Sequence, residues 1–430
     1  MTSQIPPAAR PVQRREILAW ALCDWANSAY SALSITILVV YITQVVLPGN
    51  AGKLAWGWGL GLSMFCAACI SPVLGAMADA CANKWKWLCG TALLGAAGGV
   101  SLGLLPTDWP WAIVGVFFLT TLMFELSFGF YNSFLPELAD GDSMNRVSAW
   151  GFALGYVGGG VALLIAVLVL SLGDRFGLTS IAAKLRCGLL IMGAWWGVFT
   201  LPAVAILRDR RPARQNGQPL RHVAAQGVRE VLHTIANVRR YRTLAVFLLG
   251  FLLYNEGIQT VMSQASVFAT DYLKIEAKEM VLVVLMIQFA ALPGAMFVGW
   301  LADRIGQKPA LMLCLATWSL LLVYAYFVTS RREFWVMGAV VALVMGGTQS
   351  ISRAIMGSMT PPARTAEFFG FFNLSARATS MVGPILFVQV LTATGNANLA
   401  IFSLLGFILA GWLIVSRIHI ERGREDALSQ

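Results

Sequence analysis

A chain of 430 residues that is 58% hydrophobic and only 12% charged cannot cover its own surface with polar groups as a soluble domain does, since such domains carry about 25% charged residues. Lipid must cover it instead, and because the apolar stretches are continuous rather than alternating, the spanning form is helical and not a β-barrel. The net charge of +10 sits largely in short loops between those stretches, which points to membrane topology and away from a nucleic-acid groove.

Residues 1–16 are polar and basic and run into an apolar segment longer than the core of a secretory signal, so the first helix is expected to be an uncleaved anchor. From there the apolar runs predict twelve spans. Spans 1 to 6 are expected at Leu18–Val46, Leu54–Ala78, Trp87–Leu105, Trp111–Leu135, Val147–Ser171 and Cys187–Leu207. Spans 7 to 12 are expected at Leu244–Thr270, Val281–Ala302, Ala310–Thr329, Phe334–Ser358, Phe368–Thr392 and Leu399–Ser416. Trp56, Trp58, Trp85, Trp87, Trp109, Trp111 and Trp335 cluster at span ends, as an interfacial belt requires. Cys66 and Cys69 form a CxxC inside span 2, but no partner pair accompanies it, so no metal site is expected. With both termini on one side, that side carries 21 of the 31 Lys and Arg residues. The positive-inside rule then puts both termini, Gln430 included, and the Asp209–Arg242 connection in the cytoplasm.

That connection is the one long loop. It divides the chain into a six-helix half at 1–207, a linker at 208–242 and a second six-helix half at 243–430. Within it Leu220, Val223, Ala224, Val228, Val231, Leu232, Ile235 and Val238 share a helical face, with Arg221, Arg229 and Arg239 off it. The pattern fits an amphipathic helix lying along the inner membrane surface, or else a plain linker. A repeat supports the division. Gly75-Ala-Met-Ala-Asp79, followed by Lys84 and Lys86, comes after span 2; Gly299-Trp-Leu-Ala-Asp303-Arg304-Ile-Gly306-Gln307-Lys308 comes after span 8. Parallel six-helix repeats of this kind characterise the major facilitator architecture, an all-α membrane fold of twelve transmembrane helices in two halves. The second copy resembles that superfamily's loop motif closely; the first departs from it, with Ala80 where a base is usual and no glycine before Lys84. Gly75, Asp79, Gly299, Asp303, Arg304 and Lys308 are therefore expected to work as gating loops. Each glycine admits a neighbouring helix, and each aspartate caps a helix end and pairs with an arginine of the other half. Plain topology is the competing explanation, because bases are expected in these loops anyway.

Ionisable groups inside a membrane cost a few kcal/mol each and by default face water or one another. Here they are Asp24 in span 1, Glu125 in span 4, Glu256 in span 7, Arg353 in span 10 and Arg377 in span 11. The first four occupy the spans that line the central cavity of the major facilitator architecture. Asn27 and Ser28 lie beside Asp24, Tyr131 and Asn132 beyond Glu125, Asn255 and Gln259 around Glu256, Gln349 one turn before Arg353, and Asn373 one turn before Arg377. The substrate and proton cavity is thus expected to involve Asp24, Asn27, Glu125, Asn132, Glu256, Gln259, Gln349 and Arg353, with interhelical hydrogen bonding as the competing explanation for the amides. A pair between Arg353 and Asp24 is equally expected, and Arg377 is expected to pair structurally. Three acids face two bases. Glu256, with no arginine in its own span, is the expected proton-coupling site, because no helix break suggests a sodium site. Gly151, Gly155 and Gly159 in span 5, and Pro293-Gly294 interrupting span 8, are expected to mark the surface on which the halves rock, with tight packing alone as the competing explanation for the glycines.

Asp24-Trp-Ala-Asn27-Ser-Ala-Tyr30 resembles the opening signature of the autophagy-related vacuolar effluxer family and its bacterial homologues. Tyr131-Asn132-Ser-Phe-Leu-Pro136-Glu137, Gly346-Gly347-Thr-Gln349-Ser-Ile-Ser352-Arg353 and Glu367-Phe-Phe-Gly370 resemble its later spans. The short loops suggest the bacterial branch, hence the bacterial inner membrane. The resemblance implies transport of a small solute, with amino acids as the substrate associated with fungal members. A zwitterion needs a base and an acid, for which Arg353 with Glu125 or Asp24 is expected. A facilitative uniporter, an exporter of a drug, peptide or lipid, and a non-transporting receptor are the alternatives. No HExxH, GxSxG or phosphate loop is present, so neither an enzyme nor a cofactor is expected. The expected partners are the substrate, a proton and the lipid bilayer, with the monomer as the working unit.

Overall fold

The computed structural model describes residues 11–141, 143–210, 220–377 and 382–428. Among them twelve helices are long and apolar enough to cross a bilayer. Those of the first half are Arg14–Val46, Asn50–Cys81, Lys84–Leu104, Pro110–Leu138, Met144–Phe176 and Ile181–Ile206. Those of the second are Val238–Ala265, Glu279–Ile305, Gln307–Phe327, Arg331–Met359, Pro362–Thr394 and Ala397–Ser416. Span 11 comprises the helices Thr365–Arg377 and Val382–Thr394. Gln430, expected in the cytoplasm, lies outside the described residues.

Span 1 packs on span 5, 3 on 6, 8 on 10 and 7 on 12, while spans 2 with 11 and 5 with 8 join the halves. Large apolar side chains such as Leu54, Phe65, Leu94, Leu119, Leu320 and Phe327 point outward and stay more than half exposed. On a soluble protein such a surface would aggregate; here it is the lipid-facing coat. Both described chain ends, the even-numbered connections and two further helices, Leu220–Ala236 and Ile420–Leu428, gather at one end of the bundle, called here the terminal face. Three hydrophobic clusters form the interior. Each half has its own, and a third, nearer the terminal face, combines Trp20, Phe134 and Val147 of the first half with Ala354 and Ala366 of the second.

Two sequence expectations change. Span 8 is one helix through Pro293, Ala277–Ile305, and is not interrupted there. Gly294 packs against the Leu343 backbone of span 10, within its own half, so it does not contribute to a sliding surface between halves. Irregular geometry lies elsewhere: span 1 widens to π-geometry at Ser34–Leu38 and Tyr41–Val46, and span 7 continues into a π-helical turn at Phe268–Tyr272.

The two loop repeats turn the chain in different ways at one equivalent residue. Span 8 ends at Ile305, and Gly306 takes φ +93° to start span 9 at once. At the matching place after span 2, Ala82 adopts a left-handed φ of 47°. That conformation costs a non-glycine residue about 1–2 kcal/mol. A Gly306→Ala substitution should therefore lower the unfolding stability by at least about 1 kcal/mol, whereas Ala82→Gly should leave it unchanged or raise it slightly. Denaturant unfolding of the detergent-solubilised protein measures both; a Gly306→Ala variant as stable as the parent would remove φ strain from the account of this turn.

Candidate functional site

Spans 1, 4 and 5 converge on Arg353 of span 10, which is 1% exposed. Its Nη1 donates to Asn132 Oδ1 at 3.0 Å, its Nε to Ser148 Oγ at 3.0 Å and its Nη2 to the Ser148 carbonyl at 2.7 Å. Its nearest approach to the Asp24 carboxylate is 3.9 Å, and Tyr131 OH donates to the same carboxylate oxygen at 3.1 Å. The guanidinium carbon lies 4.1, 4.9 and 5.2 Å from the ring centres of Phe152, Trp20 and Tyr131. A cation among aromatic faces gains electrostatically where water is absent. Gly151 and Gly155 make this possible. A Cβ on Gly151 would stand 2.6 Å from Tyr131 OH and 2.9 Å from Arg353 Nη2; one on Gly155 would stand 2.9 Å from Asp24 Cγ. Of the three glycines expected to let spans 5 and 8 slide, Gly159 faces Gln288 of span 8, whereas the nearest neighbours of the other two belong to the charged pair and its surroundings.

Deeper in the bundle, Arg377 of span 11 grips Glu125 of span 4. Their closest atoms are 2.9 Å apart, Arg377 Nε donates to Glu125 Oε2 at 3.2 Å, and Asn373 donates to the Glu125 carbonyl at 3.2 Å. This pair joins the two halves near mid-membrane. Glu256, 2% exposed on span 7, accepts the Gly383 N–H at 2.8 Å. Asn255 donates to the Ala376 carbonyl at 3.2 Å, and Gln259 is half-buried one turn beyond Glu256. Gln349 accepts from Tyr156 OH at 2.6 Å across the halves. Asn27 is buried beside Asp24, and its Nδ2 makes no hydrogen bond among the described residues. The eight expected cavity residues thus divide. Asp24, Asn132 and Arg353 share one network, whereas Glu125 and Glu256 stand in two others.

At the terminal face each loop aspartate sits on the first turn of a helix in the opposite half. Asp79 accepts the Ala366 and Glu367 N–H groups at 3.2 and 3.0 Å, so it caps span 11 where the helix dipole favours an anion. Gly75 lies directly against the same backbone at Ala366. Lys84, 3% exposed, pairs with Glu137, donates to Thr365 Oγ1 at 2.6 Å and lies 3.9 Å from Asp79. Asp209 accepts the Lys84 and Trp85 N–H groups at 2.9 and 3.2 Å; burial pushes its carboxyl above the usual range, and the Lys84 ammonium pulls it back. In the second copy, Asp303 takes Asn145 Nδ2 at 3.1 Å and Arg146 Nε at 2.9 Å at the start of span 5, and Gly299 faces Ala149. Arg304 stacks over Trp300 of its own helix, and Lys308 donates to the Ser416 and Ile418 carbonyls of its own half. Those two expected gating residues therefore serve the second half internally.

Ser148, Phe152, Tyr156, Asn145 and Gln307 also take part, and none was singled out from the sequence. Gln307 Nε2 donates to Asn145 Oδ1 at 2.7 Å, and Ser148 Oγ donates to the Ser350 carbonyl at 2.7 Å while accepting from Arg353. The available signal was the spacing of Asn145, Ser148, Gly151 and Gly155, one polar or small residue per turn on a single face of span 5.

Residues 58–428 match the profile of a family described as vacuole effluxer Atg22 like. A Bacillus subtilis (strain 168) protein described as the MFS-type transporter YxiO is 29% identical over 419 residues, 96% of either chain. Autophagy-related protein 22-1 of Penicillium rubens is 24% identical over 304 residues, 66% of this chain and 50% of that one. The fold matches a solved structure of the MFS proton:xylose symporter XylE with a TM-score of 0.69 at 13% identity, over 93% of this chain and 94% of that one.

Removing one member of a buried charge pair costs about 3–5 kcal/mol because the other charge is stranded. Arg353→Gln should therefore destabilise the protein strongly, and adding Asp24→Asn should recover a large part of the loss. Thermal unfolding of the two single variants and the double variant forms the cycle. A double variant no more stable than Arg353→Gln would mean that Asp24 does not depend on this arginine.

Proposed function

The chain belongs to the vacuole effluxer Atg22-like family and is an MFS-type transporter of twelve spans, and from that premise we propose that it carries a small zwitterionic solute, such as an amino acid, by proton-coupled alternating access. The observation that carries the reading is the Glu125–Arg377 pair. It supplies an anion from one half and a cation from the other at mid-membrane. An ammonium group replaces Arg377 at Glu125, and a carboxylate replaces Glu125 at Arg377, so one ligand compensates both charges as it separates them. Arg353 is less suited to this task than its sequence position suggested, since its donors are engaged by Asn132 and Ser148.

Residues 1–207 and 243–430 are taken as the two rocking bodies, with 208–242 between them. The ties of Asp79, Lys84, Asp303 and Arg353 across the halves lie between mid-membrane and the terminal face. They hold that face closed and must break for the carrier to turn. The Lys and Arg excess supports a cytoplasmic terminal face, and the Bacillus relative supports a bacterial inner membrane. Cysteines introduced in the exposed linker, for example at Gln226, should resist impermeant thiol reagents in intact cells; labelling from outside would reverse the orientation.

Glu256 is the proposed coupling group. It is a buried carboxyl in the first span of the second half, held to span 11 by a backbone N–H. The likeness to a protein titled a proton:xylose symporter is consistent with proton coupling. In proteoliposomes the wild type should exchange labelled neutral amino acids, but not their decarboxylated amines, and should accumulate them under an imposed pH gradient. Glu256→Gln should keep exchange and lose gradient-driven accumulation about tenfold or more. Accumulation by the variant would clear Glu256 of the role. A wild type that exchanges but ignores the gradient would make the protein a uniporter, and exchange of the amines as fast as the amino acids would end the zwitterion reading.

A further inference from the structure

The linker helix Leu220–Ala236 has three faces rather than the two its sequence suggests. Val223, Val231 and Thr234 are buried against the bundle. Gly227 brings this face close to span 2: a Cβ there would stand 3.0 Å from Met77 Cγ and 3.2 Å from the Val73 carbonyl. Val73 lies two helical turns before the end of span 2 at Cys81. Counted from the interfacial Trp56 and Trp58, it falls within the ~20 residues that cross the hydrocarbon. The helix therefore runs at the depth of the headgroup–acyl boundary and not in open cytoplasm.

A second face, about a third of a turn away, carries Val228, Leu232 and Ile235, continued by Val238, and these are 43–59% exposed. At that depth an uncovered apolar stripe adjoins the lipid-facing surface of span 2. Exposed bases surround it: Arg221, Arg229, Arg239, Arg240 and Arg242. The third, polar face opens on a cavity of about 860 Å³ lined by His222, Arg229, His233 and Arg364, with Glu230 as the acid among them. Apolar stripe, basic rim and polar crevice together match the chemistry of an anionic phospholipid, with acyl chains against the stripe and the phosphate among the bases.

The same helix bridges the halves. Gly227 rests on span 2, while Thr234 Oγ1 donates to Glu367 Oε1 at 2.7 Å and accepts from Arg364 Nη2 at 2.5 Å, both residues of span 11. Arg364 also reaches Tyr241 OH at 3.2 Å, and the Tyr241 ring meets Phe368 edge to face. We infer that the linker helix is a membrane-docked strap that binds anionic phospholipid in the leaflet at the terminal face and ties span 2 to span 11 while that face is closed.

The test uses the full chain in nanodiscs of phosphatidylcholine alone or with phosphatidylglycerol added, read by hydrogen exchange of peptides covering 220–241. Phosphatidylglycerol should slow exchange there about tenfold or more. The triple variant Arg221→Gln, Arg229→Gln, Arg239→Gln should exchange as the parent does in phosphatidylcholine and lose the response. Leu232→Asp with Ile235→Asp should speed exchange in both lipids. Equal exchange of the parent in the two lipids overturns the inference, as does a lipid response that survives the triple variant. Inorganic phosphate that slows exchange equally in phosphatidylcholine discs would make the site one for a free anion, and an unchanged aspartate variant would place the stripe outside the bilayer; either result also overturns it.

Discussion

A guanidinium held almost completely away from solvent, in a protein already surrounded by lipid, imposes strict terms on everything near it. Moving such a charge out of water costs several kcal/mol even after relaxation, and the cost is offset only by good geometry and complete hydrogen bonding. Around Arg353 the compensation comes from the opposite half: Asn132 and Ser148 accept its donors, Asp24 supplies the countercharge, and three aromatic rings replace water. Trp20 in turn is fixed by stacking on Tyr131 at 4.6 Å and by donating to its carbonyl. The missing side chains of Gly151 and Gly155 are part of the same solution. The arginine belongs to the second half and its acceptors to the first, so the charge is well compensated only while the halves are together at this level.

The two loop repeats show how one motif is built twice with unequal strength. Asp79 and Asp303 both sit on the first turn of a helix in the opposite half. Around Asp79 the partners are buried, with Lys84 and Glu137 only a few per cent exposed. Around Asp303 the arginine is 67% exposed. An exposed pair contributes little and is screened by salt, whereas a buried one is hard to form and hard to break. The departure of the first copy from the common pattern therefore does not weaken it. No arginine of the other half pairs with Asp79 among the described residues; Lys84 of its own half stands beside it and reaches the second half through Thr365, and Ala82 turns the chain at the place of Gly306 with a different backbone conformation.

Twelve spans, two halves and the fold family were legible because hydrophobic length, loop charge and a repeat at a fixed offset all survive in one dimension. The ionisable residues were legible for the same reason: a charge in an apolar run is conspicuous. Their pairing was not. Asp24 with Arg353 followed from equal depth, but Glu125 with Arg377 did not, because which face a helix turns to its neighbour depends on packing that no single span encodes. Ser148 and Asn145 were passed over because serine and asparagine near a helix start read as ordinary capping residues. Pro293 misled in the opposite direction, since the surrounding helices let span 8 continue through it.

Span 11 is gripped by carboxylates from three different helices: Asp79 at its first turn, Glu125 through Arg377 and Asn373, and Glu256 through the Gly383 N–H. Two of these acids belong to the first half and one to its own. Losing any one grip leaves two in place, so no single event sets the span loose. The Glu256 contact lies within the span's own half, so only the loop and mid-membrane grips tie it to the first half. Two knots at different depths fasten it, and parting the halves at this seam means undoing both.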